Sequence, residues 1–218
     1  MLDILLTVLP VFILIGVGYG AVRSGYLKDN FSDALNIFAV RIAVPVLLFR
    51  AMAGLDLGQA FSPQLLVSFY TGAFVCFAGG IIVARTVFKR RPGEAVAVGF
   101  AGTFSNSVLL GLPIVERAYG GETVTMAFGI IALHAPLIYA VGMITMELMR
   151  RDGRTLREAL TDALKSILAN PLMAGILAGL GVNATGIVLP EPVQAAVDML
   201  AAAAIPVALV GIGAALTR

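Results

Sequence analysis

Long apolar runs broken by short polar clusters set the pattern of this chain. Seven such runs occupy roughly 4–22, 33–52, 64–84, 95–115, 123–148, 167–182 and 194–216. A hydrocarbon core of ~30 Å takes about 20 apolar residues in helical form, so each run is read as a bilayer-crossing helix. None alternates apolar and polar positions as a membrane strand must, which argues against an outer-membrane barrel. The expectation is an all-α integral membrane protein of seven transmembrane helices. The first run has only Asp3, and no Lys or Arg, ahead of it. It lacks the basic start of a signal peptide and is read as a true helix. In the polar stretch 150–166 and just beyond it, Leu156, Leu160, Leu164 and Leu168 recur at helical spacing. That stretch is read either as an amphipathic helix lying on the inner leaflet or as a solvated connector.

Composition narrows the class. Of 218 residues, 59% are hydrophobic and 13% charged, against about 25% charged in soluble domains. A water-soluble monomer and a disordered chain are both excluded. Cys76 is the single cysteine, so no disulfide framework exists within the chain. One His and one Cys are too few soft ligands for a transition-metal site. No Gly-x-x-x-x-Gly-Lys segment occurs, which excludes ATP-driven pumping by this chain. No cofactor is expected, and a net charge of +2 gives no reason to expect nucleic acid as a partner.

The basic residues do sort by loop. Twelve of the fifteen Lys and Arg fall on one side: Arg23 and Lys28, the 85–94 cluster, the 150–166 cluster and Arg218. Arg50 and Arg117 fall on the other, and Arg41 lies inside a helix. The positive-inside rule then places the N-terminus outside and Arg218 in the cytoplasm, in a multi-pass protein of the inner or plasma membrane.

The runs repeat. Pro10 and Pro45 are 35 residues apart, as are Pro171 and Pro206. An offset of 161 pairs Pro10 with Pro171, Ile15 with Ile176, Gly18 with Gly179, Gly20 with Gly181, Pro45 with Pro206 and Leu48 with Leu209. The offset covers five helices, an odd number, so the second copy runs through the membrane in the opposite sense. Inverted repeats are a transporter architecture, with the substrate site at the repeat interface. Residues 1–161 form the first five-helix repeat, with a broken fourth helix and the cytoplasmic linker. Residues 162–218 hold the first two helices of the second repeat. The chain therefore reads as cut short, and the small residues Ala201–Ala204 and Gly211–Ala214 are expected to face the missing helices.

Candidate chemistry concentrates in the fourth run. Gly99, Gly102, Ser105, Asn106, Ser107, Gly111 and Pro113 interrupt what would be a plain apolar helix. Pro113 displaces the carbonyl of Leu109, Gly111 permits close backbone approach, and Asn106 brings two donors and an acceptor just before that break. Irregular backbone at membrane depth survives only where it is buried in protein or lines a polar cavity. The alternative is a proline kink packed by small residues.

The run Asn106-Ser107-Val108-Leu109-Leu110-Gly111-Leu112-Pro113, followed by Tyr119-Gly120, resembles the fourth helix of the auxin efflux carrier family. That family includes plant auxin carriers and bacterial permeases described as malonate or malate transporters. Ala169-Asn170-Pro171-Leu172 and Ala204-Ile205-Pro206-Val207-Ala208-Leu209 resemble its sixth and seventh helices. The resemblance covers the whole chain. It implies a fold of two inverted five-helix repeats with crossing broken helices four and nine, of which helices eight to ten are not in this chain.

Arg41 lies about nine residues into the second run, with Pro45 one helical turn later. A charge at that depth is expected to face the bundle interior, where it would attract a carboxylate. It is read equally as a structural or snorkelling Arg. His134, the sole histidine, is read mainly as a satisfied packing residue, with a proton relay as the alternative. Glu116 and Glu147 are read as interfacial, Asn183-Ala184-Thr185 as a glycosylation sequon on the outer side, and Tyr26, Tyr70 and Tyr119 as an interfacial belt. The Gly16, Gly18 and Gly20 cluster packs helices within one chain or between two, so a homodimer stays open.

The leading reading is a permease, a secondary active transporter of a small organic anion such as a dicarboxylate or an auxin-like carboxylate, driven by a proton or sodium gradient. The expected substrate-binding residues are Asn106, Ser105, Ser107, Gly111, Pro113, Arg41 and Pro45. The alternatives are a seven-helix sensor or non-transporting fragment and, with less support, a membrane-embedded enzyme.

Overall fold

The computed structural model describes residues 2–28, 31–150 and 155–217. It is helical, with no strand among those residues. The helices are α1 Leu2–Arg23, α2 Phe31–Phe38, α3 Val44–Ala53, α4 Leu57–Ala60, α5 Pro63–Thr86, α6 Pro92–Thr103, α7 Leu112–Tyr119, α8 Gly121–Arg150, α9 Leu156–Leu168, α10 Pro171–Thr185 and α11 Glu191–Ala215. π-Helical turns at Ala39–Ala43 and Ser107–Gly111 lead into α3 and α7.

Among the described residues, four helices are long and apolar enough to cross a bilayer: Phe31–Ala53, Pro63–Thr86, Thr123–Arg150 and Glu191–Ala215. Val8–Arg23 and Pro171–Thr185 are apolar and shorter. Every run seen in the sequence falls on helix, but the fourth is divided between α6 and α7. The sixth starts at Pro171 rather than 167, because α9 ends at Leu168.

Proline opens many of these helices. Pro63, Pro92 and Pro192 stand in the first turns of α5, α6 and α11, where a missing N–H leaves no helical bond unmade, and Pro45 and Pro113 follow directly on the π turns at the starts of α3 and α7. Before Pro45 the backbone widens, and the Val44 N–H donates to the carbonyl of Ala39, five residues back. The α9 helix begins at a reciprocal cap: the Glu158 N–H donates to Thr155 Oγ1 (3.3 Å) and the Thr155 N–H to Glu158 Oε2 (2.7 Å). Leu164 and Leu168 are exposed on it, which fits the amphipathic reading of this segment. Arg151, Arg154 and Arg218 of the basic clusters lie outside the described residues.

The chain forms two compact units, each discontinuous in sequence. The first comprises 1–56, 107–128 and 171–218, and the second 57–106 and 129–170. α8 contributes its start to the first unit and the remainder to the second.

In the first unit α1 packs along α11 and α3 along α10, while α2 and α3 also lie on α11 and α7 on α1. Glycines set these distances. A methyl group on Gly18 would strike the carbonyl of Val210, and one on Gly213 that of Ile15. On α10, Gly175 and Gly179 stand equally close to the carbonyls of Pro45 and Phe49. Without a hydrophobic force between helices in lipid, such close backbone approach supplies the packing. Gly18 therefore packs within the chain, whereas Gly16 and Gly20 have nothing within 4 Å of where a Cβ would stand. On α11 the small residues divide, with Ala202 exposed and Ala203 half-buried. Ala201, Ala204, Gly211, Gly213 and Ala214 are buried, with Gly211 against Asn36 and Gly213 against Ile15. Small side chains here admit neighbours already in the chain.

In the second unit α5 and α6 meet at Gly80 and Gly99, where a Cβ on Gly80 would lie 2.9 Å from the Gly99 Cα. Tyr70 of α5 donates its hydroxyl to the carbonyl of Ile130 on α8 (3.0 Å). Tyr70 is buried, so it serves as an internal tie rather than as part of an interfacial belt.

Candidate functional site

The fourth run leaves the helix at a different place from the one its proline suggests. α6 ends at Thr103, whose Oγ1 donates back to the Gly99 carbonyl (2.9 Å) and across to Ala73 on α5 (3.3 Å). Phe104 turns extended, at φ −74° and ψ 103°. Residues 104–106 are non-helical, and the chain then re-enters helix through the Ser107–Gly111 π turn. Pro113 does not break α7; it sits in the first turn, where proline initiates a helix. Gly111 has ordinary right-handed helical angles. Asn106, expected ahead of the break, lies within it.

His134 holds the second-unit end of this interruption. Its Nε2 accepts from the Ser105 N–H at 3.3 Å and lies 3.5 Å from Ser105 Oγ. The imidazole is packed by Phe69 (5.8 Å between ring centres), Phe104 (5.4 Å) and Tyr70 (6.3 Å, stacked). Phe104 in turn stacks on Phe100 (5.2 Å) and meets Tyr139 (5.4 Å). Phe104 thus packs against aromatic neighbours from α6 and α8 at the point where the helix ends, and remains partly exposed. Ser105 and Asn106 are exposed beside it.

The first unit has its own polar feature. Arg50 Nε lies 2.5 Å from Asp198 Oδ1, and Asp198 also accepts from Gln194 (3.2 Å). Both partners are about half exposed, so the pair contributes no more than about 1 kcal/mol. Arg50 faces two cavities. One, of about 430 Å³, is bounded by Phe49, Val182, Gln194 and Asp198. The other, of about 620 Å³, is bounded by Leu47, Pro113, Glu116, Arg117 and Pro206. Arg117 donates to the Leu6 carbonyl at 3.4 Å. Near the first cavity the Asn183 amide is shared among the carbonyls of Met52 (3.1 Å), Ala53 (3.1 Å) and Leu55 (2.9 Å). The sequon asparagine thus closes the C-terminal end of α3. Among the described residues, no three His, Cys, Asp or Glu side chains gather as metal ligands would.

The family model for "Membrane transport protein" matches residues 3–218. The chain belongs to that family. The resemblance read from the Asn106–Pro113 run falls within it. Among membrane transport proteins, the chain is 29% identical over 217 residues to a Rhizobium meliloti (strain 1021) protein named "Putative malonate transporter", covering 96% of this chain and 65% of that one. It is 23% identical over 214 residues to an "Uncharacterized transporter" of Methanothermobacter thermautotrophicus, covering 95% of this chain and 66% of the relative. The chain thus spans slightly less than two thirds of the length of either relative. The family is one of transporters rather than enzymes, and several apolar helices make this member a multi-pass membrane protein.

The structure brings some of the expected residues of this membrane transport protein together and separates others. Ser105 and Asn106 stand side by side in the break, in the second unit. Ser107 and Gly111 are half-buried in the π turn and Pro113 is buried in α7, all in the first unit. Pro45, also in the first unit, is half-buried with its carbonyl against Gly175. Arg41 lies in the Ala39–Ala43 π turn and is exposed. The sequence reading treated His134 as packing and missed its bond to Ser105. Spacing alone carries no sign of that bond, although aromatic residues lie near both positions in the sequence.

Proposed function

We propose that this chain forms part of a secondary transporter for a small organic anion, with the carboxylate received at Ser105 and Asn106 in the broken span. One observation carries the reading. The span that carries the family-like motif is the one whose helix stops, and it exposes a hydroxyl and an amide at the stop. A dicarboxylate of the malonate class is the substrate favoured by the name of the Rhizobium relative. With no nucleotide-binding loop in the sequence, a proton or sodium gradient supplies the energy.

The proposed architecture is seven crossings, arranged as an inverted five-helix repeat followed by two helices of its second copy. The glycine contacts support it. Gly18 on the Val210 carbonyl and Gly179 on the Phe49 carbonyl are the same contact under the offset of 161, with the two partners exchanged. The pairings α1 with α11 and α3 with α10 exchange in the same way. The N-terminus is proposed outside, from the loop distribution of Lys and Arg.

The test is uptake of labelled malonate into proteoliposomes under an imposed pH or sodium gradient, with a longer monocarboxylate and a neutral amide as competitors. Saturable uptake inhibited by dicarboxylates alone supports the reading. Equal competition by the neutral amide overturns it.

A further inference from the structure

We propose that His134 is a proton-binding latch on the break: the neutral ring holds the Ser105 N–H, and protonation releases it. A backbone N–H donates only to a ring nitrogen that keeps its lone pair, so the bond to Nε2 puts the single proton of the neutral imidazole on Nδ1. Nδ1 is buried and has no hydrogen-bond partner among the described residues, in a side chain only 4% exposed. Phenylalanine would satisfy the contacts with Phe69, Tyr70 and Phe104 without burying an unpaired polar atom. What histidine adds is an acceptor at Ser105 that a proton can abolish.

The step balances simply. A proton arriving from water at the exposed Ser105–Asn106 segment takes the Nε2 lone pair and forms imidazolium. Nε2 then carries a hydrogen that faces the Ser105 N–H, donor against donor. Ser105 Oγ, 3.5 Å away, is the acceptor within reach. The ring thus exchanges the backbone N–H for the side-chain hydroxyl, and the N–H turns outward. Of the groups facing the ring, Tyr70 on α5 is the titratable one, its hydroxyl already held by Ile130. Tyr139 on α8 stands behind Phe104. The charged residues on these elements are remote along the chain: Arg85 on α5, Glu94 on α6, and Glu122, Glu147 and Arg150 on α8. Each is ten or more residues from its element's contact with the ring, roughly 15 Å of helix. Among the described residues no carboxylate is paired with the ring as a fixed counter-ion. On the reading that an organic anion binds at the break, the substrate itself fills that role, so proton and anion favour each other's binding.

His134 is the chain's only histidine, so histidine labelled with 15N gives one imidazole in the NMR spectrum of the full chain in lipid nanodiscs. The neutral ring is expected as the Nδ1-protonated tautomer. On acidification the ring and the Ser105 amide are expected to titrate together. His134→Gln keeps an acceptor and should make the Ser105 amide independent of pH. His134→Phe should hold that amide at its low-pH position throughout. An Nε2-protonated neutral ring overturns the latch. So does a ring that never titrates between about pH 4 and 9, or a Ser105 amide unaffected in His134→Phe. Saturating malonate should raise the titration midpoint. If the latch signals are all present but malonate leaves the midpoint unmoved, the latch stands and anion binding at the break is what fails.

Discussion

Replacing Gly18 by alanine sets a methyl group on the backbone of α11. The added carbon would stand 2.8 Å from the Val210 carbonyl carbon and 2.9 Å from the Ala214 nitrogen, and closer still to the Val210 oxygen. Carbon contacts settle at about 3.5–4.0 Å, so α1 and α11 must part by roughly an ångström, and no side chain can swing aside to avoid it. Overpacking of this kind costs about 1–3 kcal/mol, and a backbone obstacle puts Gly18→Ala at the upper end. Gly16 supplies the control on the same helix, since nothing lies within 4 Å of its added carbon. There alanine meets no resistance and gains up to about 1 kcal/mol of helix propensity. Thermal unfolding in detergent separates the two, at roughly 2–4 °C per kcal/mol for a chain of this size. Gly18→Ala should lower the midpoint by several degrees, Gly16→Ala should leave or raise it, and Gly179→Ala should match Gly18→Ala. Equal losses at Gly16 and Gly18 would refute the close approach of α1 to α11.

Asn106→Ala should weaken malonate binding by about ten- to a hundred-fold, the loss of one hydrogen bond to a charged group at roughly 1.5–3 kcal/mol; unchanged affinity in a titration of the folded variant would leave the break without a binding role. Asn183→Leu removes the donor shared by three carbonyls at the end of α3 and should cost about 1–3 kcal/mol, read as a lower unfolding midpoint with membrane insertion intact. A cysteine placed at Lys165 in a Cys76→Ser background should resist an impermeant reagent in intact cells and label in inverted vesicles; labelling of intact cells would reverse the proposed orientation.

Much of the helical layout was legible because bilayer-length apolar runs leave few alternatives, and the α1–α11 and α3–α10 contacts involve glycines already paired by the offset of 161. The break was legible in kind and displaced in position. Pro113 marks where a helix can begin, whereas the helix ends at Thr103, beside Phe104, whose contacts with His134 and Tyr139 on α8 are tertiary and not visible in the sequence. Asn183 is read from its sequon and His134 as a lone packing histidine, and neither reading reaches the residue's partner. Their partners lie 128 residues or more away for Asn183 and 29 away for His134.

Each π turn ends two residues before a proline, Ala43 before Pro45 and Gly111 before Pro113. Such a turn stores one residue more than the α-helix around it. Giving that residue back would slide the following helix by about 1.5 Å and turn it through roughly 100°, with the proline already seated at the start of the new register. The chain therefore carries slack inside its rods rather than in its loops.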